Sequence, residues 1–112
     1  MKPAVKEIVD SLRAAQSEAL NLAKSGMWVL CFEKDLTPFR TNGTEIRMYG
    51  GPIWTSESFS QAWECAAHLS RKAHDVGSSM VVAMDALQWS TKRVEALGDL
   101  IKTIEATSKE GC

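Results

Sequence analysis

The chain has no long hydrophobic run and no excess of one charge, and both absences exclude classes of protein. The longest uninterrupted apolar segment covers residues 27–32, far short of the roughly 20 residues that span a bilayer. With 13 basic and 14 acidic side chains the net charge is −1, whereas nucleic-acid binding usually requires a basic surface. We therefore expect no membrane partner, and the charge disfavours a nucleic-acid partner.

Cysteine is also scarce, with three residues that are widely spaced: Cys31, Cys65 and Cys112. An odd number argues against a disulfide framework, and Cys31 and Cys65 lie among apolar residues, where a reduced thiol behaves as a small hydrophobe. The N-terminal segment has no apolar core typical of a signal peptide. We expect a reduced, cytoplasmic protein.

The length and composition are those of one globular domain, with 112 residues and a 45% apolar fraction. The predicted elements are a helix over 4–24, strands over 27–33, 39–41 and 44–49, a helix from about 55 to 74, a strand over 79–84 and a helix over 90–104. This order, α-β-β-β-α-β-α, predicts a single α+β domain over 1–112, with a three- or four-stranded antiparallel sheet and helices packed on it. Residues 107–112 are expected to form a frayed tail.

Three local patterns sharpen this prediction. The strand over 27–33 is apolar on both alternating faces, which indicates a central strand that is covered on each side. Asn42 and Gly43 between two strand-like runs indicate a tight hairpin. Ser58 with Gln61 forms an alternative capping box for the second helix, and Gly98 inside the last helix suggests close approach of another helix.

Residues 4–75 have the element order of the double-stranded-RNA-binding domain, a helix, a three-stranded meander and a helix. The alanine spacing of residues 62–69 also resembles the second helix of that family. The resemblance implies recognition of an RNA groove through lysines at the start of this helix. Residues 56–61 contain Glu57 and no lysine here, so the resemblance supports the topology more than the function.

No catalytic, metal or cofactor constellation is visible in the sequence. Cys65 and His68 are three residues apart on a predicted helix, but the paired short spacings of a structural zinc site are absent. Gly50 and Gly51 are not followed by the lysine and hydroxyl of a phosphate loop. Asp85 follows a buried strand, where a carboxylate serves most often as a turn or cap residue. We expect a protein that is not an enzyme and binds no cofactor.

The best functional clue is the placement of the aromatic residues. Trp28 and Trp63 fit a core, on a two-sided strand and on a helical apolar stripe. Trp54 and Trp89 precede helices, and Phe39 and Tyr49 flank the hairpin. The hypothesis is that these last four form an exposed patch that binds a protein partner.

A second contact surface is predicted on the last helix, and two other functions remain open. Leu97, Leu100, Ile101 and Ile104 form an apolar strip that suits a homodimer. We expect a small binding or regulatory module, of the kind common among accessory proteins of bacteria, phages and mobile elements. One alternative is nucleic-acid binding through Arg40, Arg47, Arg71 and Lys72, which would have to converge on one face. The other is a binder of small apolar ligands, with an enclosed pocket of roughly 300 Å³ or more.

Overall fold

A three-stranded antiparallel sheet lies between one helix on one face and two helices on the other. The computed structural model describes residues 2–75, 77 and 80–110. The elements are α1 (Pro3–Leu22), β1 (Trp28–Phe32), β2 (Arg40–Thr41), β3 (Ile46–Arg47), β4 (Thr55–Ser56), α2 (Phe59–Asp75), β5 (Val81–Asp85) and α3 (Ala86–Glu110). The predicted α+β class is therefore confirmed.

The strand β1 is the centre of the sheet, because the strand order is β4-β1-β5 and both pairings are antiparallel. Its register places Leu30 opposite Ala83. Side chains alternate across a strand, so Leu30 faces one side while Val29 and Cys31 face the other. All three are fully buried, which confirms that this strand is covered on both faces.

One face of the sheet packs against α2. The buried residues of this core are Leu30, Phe39, Trp54, Ala62, Ala66 and Val81. Ala62 and Ala66 are four residues apart on α2, so they lie on the same side of the helix. Their small side chains let the helix axis approach the sheet closely.

The opposite face packs against α1 and α3. The buried residues of this second core are Ala19, Val29, Cys31, Ile53 and Trp89. The two helices run antiparallel, since Gln16 donates to the Val94 carbonyl at 3.0 Å while Arg13 lies 3.5 Å from Glu105. A Cβ at Gly98 would lie 3.4 Å from the Gln16 side chain, so the close helix approach expected at this glycine is present.

The predicted hairpin forms, but its turn is longer than expected. β2 pairs with β3 through Thr41 opposite Ile46, which leaves four residues in the connection instead of two. The Asn42 side chain accepts from the amides of Thr44 and Glu45 at 3.2 and 3.0 Å, so a local side-chain bond replaces the two-residue turn. Gly51 beside the hairpin has φ +75°, and a Cβ there would meet the Thr41 carbonyl oxygen at 2.6 Å.

Several element boundaries predicted from the sequence are wrong, first among them the start of the second helix. Thr55 and Ser56 form β4, and α2 begins only at Phe59, where the Ser58 hydroxyl accepts from the Gln61 amide at 3.2 Å. The capping-box alternative was therefore the right start.

The last helix begins at Ala86, four residues before the predicted start at Ser90. The Asp85 carboxylate accepts from the Gln88 amide at 2.9 Å and caps it. The predicted tail over 107–112 is helical through Glu110, because α3 continues alongside α1. Residues 111 and 112 lie outside the described residues.

Candidate interaction surface

The aromatic residues predicted to form one exposed patch do not lie on one surface. Trp89 exposes only 1% of its surface and Trp54 only 9%, and Phe39 is also buried. Trp89 belongs to the α1/α3 core, whereas Trp54 and Phe39 belong to the α2 core. Tyr49 alone is exposed, at 76%. The predicted exposure of Trp54 and Trp89 is therefore wrong.

The indole N–H of Trp89 explains why this residue can be buried. It donates to the Leu36 carbonyl oxygen at 2.9 Å, and a buried indole requires such an acceptor. Leu36 has φ +63°, an uncommon conformation for a non-glycine residue. The connection between β1 and β2 is thus shaped so that its backbone receives the Trp89 donor.

The exposed tryptophan is Trp63, which was predicted to lie in the core. It exposes 59% of its surface, because the buried side of α2 is centred on Ala62 and Ala66. Trp63 lies one residue away from that line, towards the side where the sheet ends at β5. The alanine pair is the sequence signal that could have predicted which side of α2 is buried, since a helix that packs closely on a sheet does so through its smallest residues.

Trp63 has large apolar neighbours that are also exposed, and together they form a patch. Phe59 is half exposed and Met80 is 60% exposed. These two residues and Trp63 line a hollow of about 370 Å³ whose floor includes Ala66, Val81 and Ala83. We call Phe59, Trp63 and Met80 the edge patch, because they lie beside the outer edge of β5. None of the described residues that line this hollow is charged.

The outer edge of β5 presents unpaired backbone groups. The Met80 carbonyl accepts from the Glu33 amide, and the Ala86 amide donates to the Met27 carbonyl, both at 2.9 Å. Backbone groups alternate in direction along a strand, so the N–H and C=O of Val81 and Ala83 point away from β1. Among the described residues no strand pairs with this side of β5.

Ser70 of α2 covers part of that edge. Its hydroxyl accepts from the Val81 amide at 3.0 Å and donates to the Val81 carbonyl at 2.8 Å. One side chain thus satisfies both outward backbone groups of Val81, as a neighbouring strand would. Edge strands are commonly protected in this way against uncontrolled pairing, and here the protection stops before Ala83.

The apolar strip predicted on α3 is mostly used within the chain. Leu97 and Ile101 are buried and Ile104 is half-buried, because α1 lies against this helix. Only Leu100 remains exposed, at nearly half of its surface. The expectation of an open four-residue strip is therefore wrong, and the reason is that the predicted intermolecular partner is α1 of the same chain.

The four basic residues of the nucleic-acid alternative do not converge on one face. Arg40 forms two hydrogen bonds of 2.8 Å with Glu18 of α1, whereas Arg71 and Lys72 lie on α2, across the sheet. The Arg40 hydrogen bonds, followed by its charge, hold the pKa of Glu18 below its ordinary value, against the opposing effect of burial. Arg40 is therefore part of the fold and is not available to a phosphate backbone.

A second hollow lies between the hairpin and the C-terminal half of α2. We call it the hairpin groove; its volume is about 440 Å³. Its apolar lining includes Phe32, Phe39, Ile46, Met48 and Leu69, and the charged residues among its described lining are Arg47 and Lys72. It is an open groove and therefore not the enclosed pocket that the apolar-ligand alternative predicts.

Neither described cysteine is placed for nucleophilic chemistry. Burial, followed by the charge of Asp35, raises the pKa of the Cys31 thiol to about 11, so it is protonated at neutral pH. Burial also raises the pKa of Cys65. Within the described residues, no three His, Cys, Asp or Glu side chains come together as metal ligands would.

Comparisons with known proteins identify no relative from which the function of the edge patch could be inferred. No protein-family model, curated protein or solved structure matches the chain. Among the described helices, none combines the length and the apolar character that a membrane crossing requires.

Proposed function

We propose that this protein is a non-enzymatic interaction module that acts through the edge patch and β5, and that a second copy of the chain is the partner. The observation that carries the proposal is the exposure of Trp63 and Met80 beside an unpaired strand edge. Contiguous apolar surface of this kind is typical of protein-binding sites.

The backbone supports pairing of β5 with another β5. An antiparallel pair can be centred on Ala83, because its outward N–H and C=O can each bond the same residue of a second strand. This arrangement has a two-fold axis, and two-fold symmetry is the commonest form of homo-oligomer. Ser70 limits the pairing to the segment beyond Val81, so the backbone contributes few bonds.

The side chains supply the larger share of the proposed contact. Trp63 of one copy would approach Trp63 of the other across the two-fold axis, and the Met80 of each copy would lie at the side of this contact. Among the described residues no charged side chain lines the hollow beside them, and the charged residues at its margins are Glu64 beside Trp63 and Arg71 beside Met80. Aromatic residues and methionine are enriched in protein interfaces for this combination of area and adaptability.

The test is the mass of the full chain measured by sedimentation equilibrium from about 1 to 500 µM. We expect a concentration-dependent dimer, which Trp63→Arg weakens at least tenfold because it places a charge in the apolar contact. Ala83→Pro should also weaken the dimer. It removes only an outward N–H, so pairing with β1 and the melting temperature should be retained.

Leu100→Lys is the matched control, since it also replaces an exposed apolar residue by a cation, on α3. We expect its dimer to be within twofold of the original. A monomer at every concentration would contradict the proposal. A dimer that Leu100→Lys dissociates and Trp63→Arg leaves intact would place the contact on α3 instead.

A further inference from the structure

The hairpin groove differs from the edge patch in that its apolar lining is accompanied by two cations. Phe32 and Phe39 lie side by side in it, with ring centroids 4.8 Å apart. Its volume of about 440 Å³ is within the range of roughly 300–1,000 Å³ that small-molecule sites occupy. A groove of this size accepts a short chain or a ring system.

The two cations come from different elements. Arg47 lies on β3 of the hairpin and Lys72 lies on α2. Arg47 contacts Glu45 at 3.2 Å, but both side chains are well exposed, so this ion pair holds Arg47 only weakly. Among the described residues Lys72 forms no ion pair, and no acidic residue lines the groove.

We propose that the hairpin groove binds a small amphiphilic anion. Its apolar part would lie against Phe32 and Phe39, and its carboxylate or similar anionic group would lie between Arg47 and Lys72. Charge complementarity selects this occupant, because a neutral apolar molecule leaves Lys72 without an ion-pair partner among the described residues and leaves Arg47 with only its exposed contact to Glu45. The site goes beyond the proposed self-association, since it lies at the other end of α2 from Phe59 and Trp63.

The test uses decanoate as the probe, added below its micelle concentration to the ¹⁵N-labelled full chain. We expect saturable shifts of amide signals in residues 46–48 and 69–73, with a dissociation constant on the order of 0.1–1 mM for so small a ligand. Signals of residues 59–63 should not shift. Decanol, which has the same chain without the charge, should bind more weakly.

Two exposed positions supply the variants, so that folding is not at risk. Lys72→Gln and Arg47→Gln should each weaken decanoate binding roughly threefold, and the double variant about tenfold. Binding of decanol should be unchanged in all three variants. Lys102→Gln, an exposed lysine on α3, is the matched control and should leave both ligands unaffected.

Several results would overturn this inference. One is the absence of saturable shifts with decanoate at concentrations up to about twice the weakest expected constant. Another is equal binding of decanoate and decanol with no response to the double variant. Shifts of residues 46–48 and 69–73 that follow protein concentration would indicate a second copy in the groove. Shifts caused by an acidic helical peptide, with none from decanoate, would indicate a protein ligand.

Discussion

The two faces of the sheet are covered very differently, and the difference locates the candidate surface. On one face α1 and α3 lie side by side, and Trp89 at their base is almost wholly buried. On the other face α2 is the single described helix, and Trp63 at its margin is mostly exposed. Two tryptophans on helices of one small domain thus differ in exposure, since Trp89 is buried and Trp63 is not.

This comparison shows that the number of helices over a sheet decides which large side chains remain outside. A pair of helices covers the width of three strands. A single helix covers less: α2 packs mainly on the edge strand β5, so its outer flank lies at the margin of the sheet. The exposed apolar residues Phe59, Trp63 and Met80 collect at that flank, beside β5.

The largest expected effect on stability is that of truncating Trp89, with Trp63 as the exposed counterpart. Trp89→Ala removes a buried ring and its bond to the Leu36 carbonyl, so it should lower the free energy of unfolding by about 4 kcal/mol. Trp63→Ala should lower it by less than about 1 kcal/mol. Urea unfolding at low micromolar protein, where self-association is minimal, gives both values.

Trp89→Phe serves if the alanine variant does not fold. It retains most of the ring and loses the donor, so we expect a cost of about 2 kcal/mol. Equal costs for truncation at the two positions would break the comparison, because they would mean that α2 buries Trp63 as fully as α3 buries Trp89.

A smaller effect is expected at Ser70, which protects the edge of β5 on the less covered face. Ser70→Ala leaves the N–H and C=O of Val81 without their protein partner, and we expect a loss of about 1 kcal/mol. Hydrogen exchange of the Val81 amide should accelerate accordingly. Ser60→Ala, at an exposed position of the same helix, should change neither quantity.

If self-association uses β5, Ser70→Ala should also tighten it, since the open edge then extends from Ala83 to Val81. A weaker dimer in this variant would contradict strand pairing as the mode of contact.

The smallest effect concerns the ion pair that ties the hairpin to α1, on the well-covered face. The Arg40 hydrogen bonds hold the pKa of Glu18 below its ordinary value of 4.5. The stabilisation is therefore present above that pH and is lost as the pH falls through the lowered value. Because both side chains are partly exposed, we expect less than about 1 kcal/mol.

Urea unfolding from pH 7 to pH 3 measures this contribution. Arg40→Gln should lose stability at neutral pH and show a shallower decline with acid than the original chain. Arg47→Gln is the matched control, because the contact of Arg47 with Glu45 is single and exposed. If the two variants behaved alike across the pH range, Arg40 would be no more structural than a surface arginine.

Local patterns were sufficient to predict most of the secondary structure. The apolar run over 27–33 identified the central strand, since side chains alternate between the two faces of any strand and here both faces are apolar. Asn42 and Gly43 located the hairpin, and the helix predicted over 90–104 lies within α3. β4 was missed because two residues carry no periodic signal, and its hydroxyl residues are equally typical of a helix start.

The candidate site was predicted less well, because exposure depends on neighbours that are distant in sequence. Trp63 lies on an apolar stripe, and nothing within α2 indicates that the sheet ends beneath it. Leu97 and Ile101 were expected to face a second copy, and α1 covers them instead. Self-association and the accessory-protein class stay predictions.

The sequence by itself determined the types of element, the burial of β1 on both faces and the near-neutral charge, because these depend on composition and on short-range periodicity. Only the tertiary structure decided that Trp89 is inside and Trp63 outside, that Arg40 belongs to Glu18, and that Arg47 and Lys72 share a groove. The physical reason is that a helical or strand period specifies which residues share a face. Only the packing of the whole chain specifies what covers that face.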